Sequence, residues 1–234
     1  MRSFETFIKN DRYSVGCTGQ TVYIYDSAGN EIAKFKDLIY AYHAILAPDG
    51  NTLVVKSTDG RLAIYDLPNL KLTKKFRFSK IDGAQDDFFC FSEDGTRFYN
   101  IERQNASYNS CIAMYDTSDY TCLARYYAED PLTEPIHIEY DEEKDAFFLL
   151  GFIRNEESHI LDYGFVAKFE NGELKEPYRL TKNEFDYYRD YKHLEMTGFQ
   201  SWQGANYLCL DPDTFQNEKR PLSVLWEHYA NNNP

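Results

Sequence analysis

Five stretches of the 234-residue chain repeat one pattern, and no other feature constrains its fold as tightly. They are Thr21–Asp26, Arg61–Asp66, Cys111–Asp116, Phe165–Glu170 and Asn206–Asp211. Each is a β-prone run closed by an acid, with Tyr25, Tyr65, Tyr115, Phe169 or Leu210 just before it. From acid to acid the steps are 40, 50, 54 and 41 residues, close to the length of a four-stranded repeat unit with some insertions. A strand with one wet face alternates apolar and polar side chains, but these runs are largely apolar on both faces. Such strands need cover on both sides. Repeat units stacked between neighbours supply it, and an open one-sided sheet does not.

The turns fit the same plan. Asp49-Gly50 follows the apolar run Ala44–Pro48, and Asp94-Gly95 follows Phe88–Glu93, so each marks a hairpin in which glycine takes up a positive φ. After the closing acids, Leu67–Leu70, Thr117–Tyr120 and Pro212–Phe215 place polar turn residues before an apolar one at the same offset. Residues 44–70, AILAPDGNTLVVKSTDGRLAIYDLPNL, resemble the core of a WD40 repeat. Pro48, Asp49 and Gly50 match its first turn, Ser57, Asp59 and Gly60 its second, and Tyr65-Asp66 stands where the family has Trp-Asp. The likeness is good over this unit, weaker over 88–122 and faint over 140–215. No unit carries the family's Gly-His pair or a Trp before its acid, so the family's Asp-His-Ser-Trp hydrogen-bond network cannot form as such.

The resemblance implies an all-β chain, a WD40-like or quinoprotein-like β-propeller. The expected arrangement is one domain over 1–234 with about five four-stranded blades, near 4–36, 40–78, 87–127, 136–180 and 185–224. The fifth blade would use Phe185–Tyr191, His193–Phe199, Asn206–Leu210 and Glu218–Val224. Phe185, Tyr188 and Lys192 also fall at helical spacing, so Glu184–His193 or Leu222–Tyr229 as short helices is the alternative. Four blades and a helical C-terminal tail would then result.

Net charge is −13, which repels nucleic-acid phosphates and anionic lipid heads, so neither partner is expected. A basic partner is permitted. No segment reaches the length of a membrane span, and the N-terminus lacks the apolar run of a signal peptide, so a cytoplasmic protein is expected. Cys17, Cys90, Cys111, Cys122 and Cys209 are odd in number and widely spaced, which fits reduced thiols used as apolar filler. Cys111 and Cys122, facing across a hairpin, are the minor candidate for a disulfide.

No cofactor or metal is expected. His43, His137, His159, His193 and His228 show no metal spacing, and there is no Walker A, G-x-S-x-G or G-x-G-x-x-G. The acidic run Glu139–Asp145 reads as a solvated turn, and Asn105-Ala106-Ser107 fits a glycosylation sequon.

Function is expected on the longer links between second and third strands: Arg103–Ser110, Arg154–Gly164 and Gln200–Ala205. In a propeller these links share a face with those between blades, and insertions clustered on one face often mark a binding surface. They carry Asn105, Tyr108, Arg154, His159, Tyr163 and Trp202, residue types that anchor protein interfaces. The leading expectation is a non-catalytic module, monomeric or homodimeric, that binds a protein or peptide. The runner-up is a small enzyme or carbohydrate-binding protein whose central channel is lined by Glu5, His43, Asp87, His137, Glu139 and Asp186, with Asp86 beside them. A third reading, resting on charge alone, is an acidic inhibitor of a basic protein, of the immunity type.

Overall fold

The computed structural model describes residues 4–79, 88–104, 109–196 and 220–232. These form two compact units, one built on residues 4–79 and the other on 88–104, 109–193 and 220–232. Each unit contains two four-stranded antiparallel sheets, in which strands pair in chain order.

In the first unit, β1 (Thr6–Lys9), β2 (Tyr13–Cys17), β3 (Val22–Asp26) and β4 (Glu31–Phe35) make one sheet. The next is β5 (Ala41–Leu46), β6 (Thr52–Ser57), β7 (Arg61–Asp66) and β8 (Lys71–Arg77). In the second unit, β9 (Phe89–Phe91), β10 (Arg97–Arg103), β11 (Ser110–Asp116) and β12 (Cys122–Tyr126) precede β13 (Thr133–Asp141), β14 (Ala146–Arg154), β15 (Leu161–Glu170) and β16 (Glu173–Arg179).

Burial follows the sequence logic. β6 and β7 are buried along nearly their whole length, on both faces, while the outer strand β8 alternates exposed and half-buried residues. The two sheets of the first unit share a core. Val15, Cys17, Val22 and Ile24 from one pack with Ala44, Leu53, Val55, Ala63 and Tyr65 from the other. Tyr65, in the family's tryptophan position, is fully buried, stacks on Phe35 with ring centroids 4.3 Å apart, and donates its hydroxyl to Asp37 at 3.2 Å.

Three of the repeated acids, Asp26, Asp66 and Asp116, act as turn caps. Asp26 Oδ1 accepts the amides of Ala28 and Asn30 at 3.0 and 2.8 Å, Asp66 Oδ1 that of Asn69 at 3.1 Å, and Asp116 Oδ1 that of Ser118 at 2.9 Å. Side-chain hydrogen bonds from Asn30, Asn69 and Ser118 chiefly hold these carboxyls below their ordinary range. Asp49 caps its hairpin in the same way, taking the amides of Asn51 and Thr52, and Gly50 supplies a φ of 66°.

Among the described residues two helices follow the strands, α1 (Lys182–Met196) and α2 (Leu222–Asn232). The fifth blade is therefore corrected. Phe185–Tyr191 is helical, as are the first residues of His193–Phe199 and the last of Glu218–Val224. The strand proposed at Asn206–Leu210 lies outside the described residues. Four sheets with C-terminal helices is the arrangement found among the described residues, and a capping box explains why α1 starts where it does. The Thr181 amide donates to Glu184 Oε2 at 3.0 Å, and the Glu184 amide donates back to Thr181 Oγ1 at 3.3 Å. Thr181→Ala is expected to destabilise α1 by about 1 kcal/mol, read as lowered amide protection in the helix by hydrogen exchange. Gly164 in β15 lets the Phe185 ring occupy the space a Cβ would fill, which seats α1 on its sheet. Leu222, Leu225 and Trp226 of α2 join Phe148, Leu150, Val166, Leu180 and Phe185 in the core of the second unit. Neither helix, nor any other among the described residues, is long and apolar enough to cross a membrane.

The described cysteines, Cys17, Cys90, Cys111 and Cys122, are free thiols, and the register places Cys122 opposite Tyr115 rather than Cys111. Burial pushes the Cys17 thiol up to about 12, which suits apolar filler.

Candidate functional site

The links expected to share a face do meet within each unit. Gly19, between β2 and β3, exchanges backbone hydrogen bonds with Ala41 at the start of β5, at 3.0 and 2.8 Å. The Thr58 amide, between β6 and β7, donates to the Tyr40 carbonyl at 3.2 Å. In the second unit the Arg154 amide donates to the Leu132 carbonyl at 2.8 Å, which ties the β14–β15 link to the link preceding β13.

The β14–β15 link is shorter than expected. β14 extends through Arg154 and pairs with β15 from Leu161, so only residues 155–160 are free of the ladder and Tyr163 and Gly164 belong to a strand. Asn155 organises this tip. Its Oδ1 accepts the amides of Glu157 and Ser158 at 3.1 and 3.0 Å, while its carbonyl accepts the His159 amide at 2.9 Å. His159 takes a positive φ of 56°. Arg154 straps the tip from below, donating from Nη1 to the His159 carbonyl at 2.9 Å and pairing through Nη2 with Glu134 at 3.2 Å. Arg154 and Glu134 are both largely buried, so the arginine holds the loop rather than offering itself to a partner. Burial raises Glu134 above the ordinary carboxylate range, against hydrogen bonds from Ser110 and Arg154 that lower it.

What this scaffold presents is apolar. Ile160 is 66% exposed and Leu161 38%. Tyr163 lies beside them on β15, its ring 4.3 Å from the Arg179 guanidinium carbon. In the first unit, at the equivalent edge, Ile39 and Tyr40 are 59% and 60% exposed, with Tyr40 at a φ of 59°. Sequence reasoning missed all four aliphatic and aromatic residues, Ile39, Tyr40, Ile160 and Leu161, because a short apolar pair reads equally well as core or as ordinary surface. Asn105, Tyr108 and Trp202 lie outside the described residues.

The channel candidates do not converge as one set. Glu5 is exposed and contributes its amide to the Cys17 carbonyl at 2.7 Å. His43 is buried on β5. Asp186 is corrected from an inner strand to the surface of α1, where it pairs with Lys182 at 2.6 Å and Arg189 at 3.1 Å. Asp86 and Asp87 lie outside the described residues. His137 and Glu139 do come together on β13, Nε2 to Oε2 at 2.9 Å, with the Phe88 ring 4.0 Å from the imidazole. Lys192 from α1, 2% exposed, completes the group at 2.6 Å from Glu139 Oε2, and the Leu222 amide at the start of α2 donates to Oε1. Burial alone would raise Glu139, but His137 and Lys192 outweigh it and hold the carboxyl down at about 2. A carboxylate held so firmly ionised is a poor general acid. Among the described residues no group of three or more His, Cys, Asp or Glu is placed to hold a metal ion.

No protein-family model and no curated protein matches the sequence. Solved structures do match in shape. The hydrazine synthase of Kuenenia stuttgartiensis superposes with a TM-score of 0.56 at 15% identity, over 73% of this chain and 47% of that one. The dihydro-heme d1 dehydrogenase NirN, solved in complex with DHE, gives 0.52 at 20% identity, over 77% and 37%. The WD40 domain of coronin from Toxoplasma gondii gives 0.55 at 15% identity, over 75% and 45%. The chain thus spans less than half the length of each. What they share with it is fold, that of a β-propeller with four-stranded sheets as its blades.

Proposed function

We propose that this chain is a non-catalytic interaction module that binds a protein or peptide through the edge carrying the β14–β15 link. The observation that carries the reading is the tip itself. A six-residue link is fixed by Asn155, Arg154 and Glu134, and it holds Ile160 and Leu161 out to solvent next to Tyr163. Exposing aliphatic side chains on a preordered scaffold costs little on binding, because the loop is already arranged. A WD40-like fold is in keeping with a protein partner in general. The charge of −13 favours a basic one and disfavours nucleic acid and anionic membranes. The enzyme names borne by two of the neighbours describe those proteins. Here the paired, ionised Glu139 gives no support to acid–base chemistry on β13.

Affinity capture from the native host, with the captured partner then purified and titrated, tests this. Ile160→Ser combined with Tyr163→Ala is expected to weaken the partner by about thirtyfold or more, as truncation of two interface anchors does. Adding Tyr108→Ala and Trp202→Ala should weaken it further. Unchanged capture by the four-fold variant would sink the reading. Binding indifferent to salt would instead remove the basic-partner component, since attraction between exposed charges is screened.

A further inference from the structure

The second unit contains a cleft of about 580 Å³ that the reading above does not use. That size suits a small ligand or one to two side chains of a peptide. Its walls are Tyr99, Tyr126, Phe147, Phe169 and Trp226. Four of these rings run as a continuous wall. Tyr99 meets Phe147 with centroids 4.6 Å apart and Phe169 at 6.2 Å, and Tyr126 meets Phe169 edge-on at 5.4 Å. Gly172 belongs to this construction. Its φ is +88°, and the Tyr126 ring lies where a Cβ would stand, so glycine admits the tyrosine to the wall.

Charge selects the occupant. Lys144 is paired with Glu227, and Lys168 lies 3.8 Å from Glu176, so both cations at the cleft already have carboxylates. Asp145 and Glu170 also line it, Asp145 Oδ1 accepting the Tyr140 hydroxyl at 2.5 Å and Glu170 adding its negative charge near Lys175. The Lys168 ammonium sits 3.9 Å from the Trp226 ring centroid, so a cation is already held on one wall. Aromatic faces beside two further carboxylates, in a chain of charge −13, suit a planar cation that can stack and fork at once.

We propose that this cleft is a second binding site, one that takes an arginine side chain of a peptide, with its guanidinium stacked on the Tyr126–Phe169 wall and hydrogen-bonded to Asp145 and Glu170. The site is independent of the interaction edge. β14 starts at the cleft with Ala146 and ends at the opposite edge with Arg154, so either site can fail without the other.

The probe is the capped tripeptide acetyl-Gly-Arg-Gly-amide, titrated into the full chain while the Trp226 indole N–H is followed by NMR. Trp226→Phe assigns that signal between the chain's two tryptophans. A saturable shift is expected, with the glutamate counterpart acetyl-Gly-Glu-Gly-amide giving none. Asp145→Asn with Glu170→Gln, both at exposed positions, should weaken binding about tenfold, and Tyr126→Ala by a similar factor. The carboxylate variants keep the test open if Tyr126→Ala fails to fold. No saturable shift, an equal response to the glutamate peptide, full affinity in the carboxylate variants, or tighter binding of maltotriose at the same signal would each overturn the assignment.

Discussion

Glu139→Ala is expected to lower the stability of the second unit by about 3–5 kcal/mol, the range for removing one partner of a buried ion pair. The size follows from what Glu139 joins. On β13 it takes the Lys192 ammonium of α1 at 2.6 Å, the His137 imidazole at 2.9 Å and the Leu222 amide that opens α2. Lys192 is 2% exposed, so the substitution strips the carboxylate from a charge that water barely reaches. Hydrogen exchange should show α1 and α2 losing protection while β1–β8 keep theirs, and denaturant unfolding should give the magnitude. Glu139→Leu with Lys192→Met should recover most of the loss, because an apolar pair of similar volume needs no mutual charge. A Glu139→Ala protein within 1 kcal/mol of the parent would refute the account.

The same carboxyl fixes a pH dependence. Its folded value of about 2 lies below the ordinary 4.5, so the unfolded chain takes up the proton first as pH falls. The stabilisation is complete above about pH 5 and is lost as pH drops towards 2. Glu134 works in the opposite sense. Its value is raised by burial, so protonating it on acidification favours the folded state. Comparing the parent with Glu139→Gln isolates the first effect, and the acid-induced loss between pH 5 and 2 should be smaller in the variant. An unchanged acid limb would show that Glu139 is not its source.

The sheets were legible because their signals are local and repeated. In three of the four sheets the acid that ends the third strand is also the cap of the next turn, so one residue type marks both boundaries. The repeated stretch Arg61–Asp66 is the strand β7 to the residue. The end of the chain was harder. Phe185, Tyr187, Tyr188 and Tyr191 are β-formers by type, and that preference masked the Thr181-Lys182-Asn183-Glu184 capping box that decides for a helix. The site was less legible than the fold. Arg154 and Tyr163 have the right chemistry for an interface, but only the folded chain turns the arginine inward to Glu134. Lys192 was visible in the sequence without its partner, since 53 residues of chain separate it from Glu139.

The WD40 family's tryptophan network is absent from the sequence, and in the third sheet a different one occupies the core. Glu102, 1% exposed, accepts the Tyr115 hydroxyl and the Asn100 amide nitrogen at Oε1, the latter at 3.1 Å, and the Arg125 guanidinium at Oε2 at 3.3 Å. Burial and the Glu102 charge push the Tyr115 phenol far above its ordinary range, so it stays a hydrogen-bond donor at any working pH. Tyr115 stands in the family's tryptophan position, which makes Glu102 the residue that satisfies it across the β10–β11 pair. Glu102→Ala is expected to cost about 3 kcal/mol or more, because it removes one acceptor from two buried donors at once. Glu102→Gln keeps a carbonyl oxygen for Tyr115 and gives up chiefly the attraction to Arg125, whose side chain is 41% exposed and therefore screened. Its cost should stay near 1 kcal/mol, and Tyr115→Phe should fall between the two. Equal losses for Gln and Ala in denaturant unfolding would mean that charge, rather than the hydrogen-bonded acceptor, secures this sheet, and the parallel with the missing tryptophan network would fall.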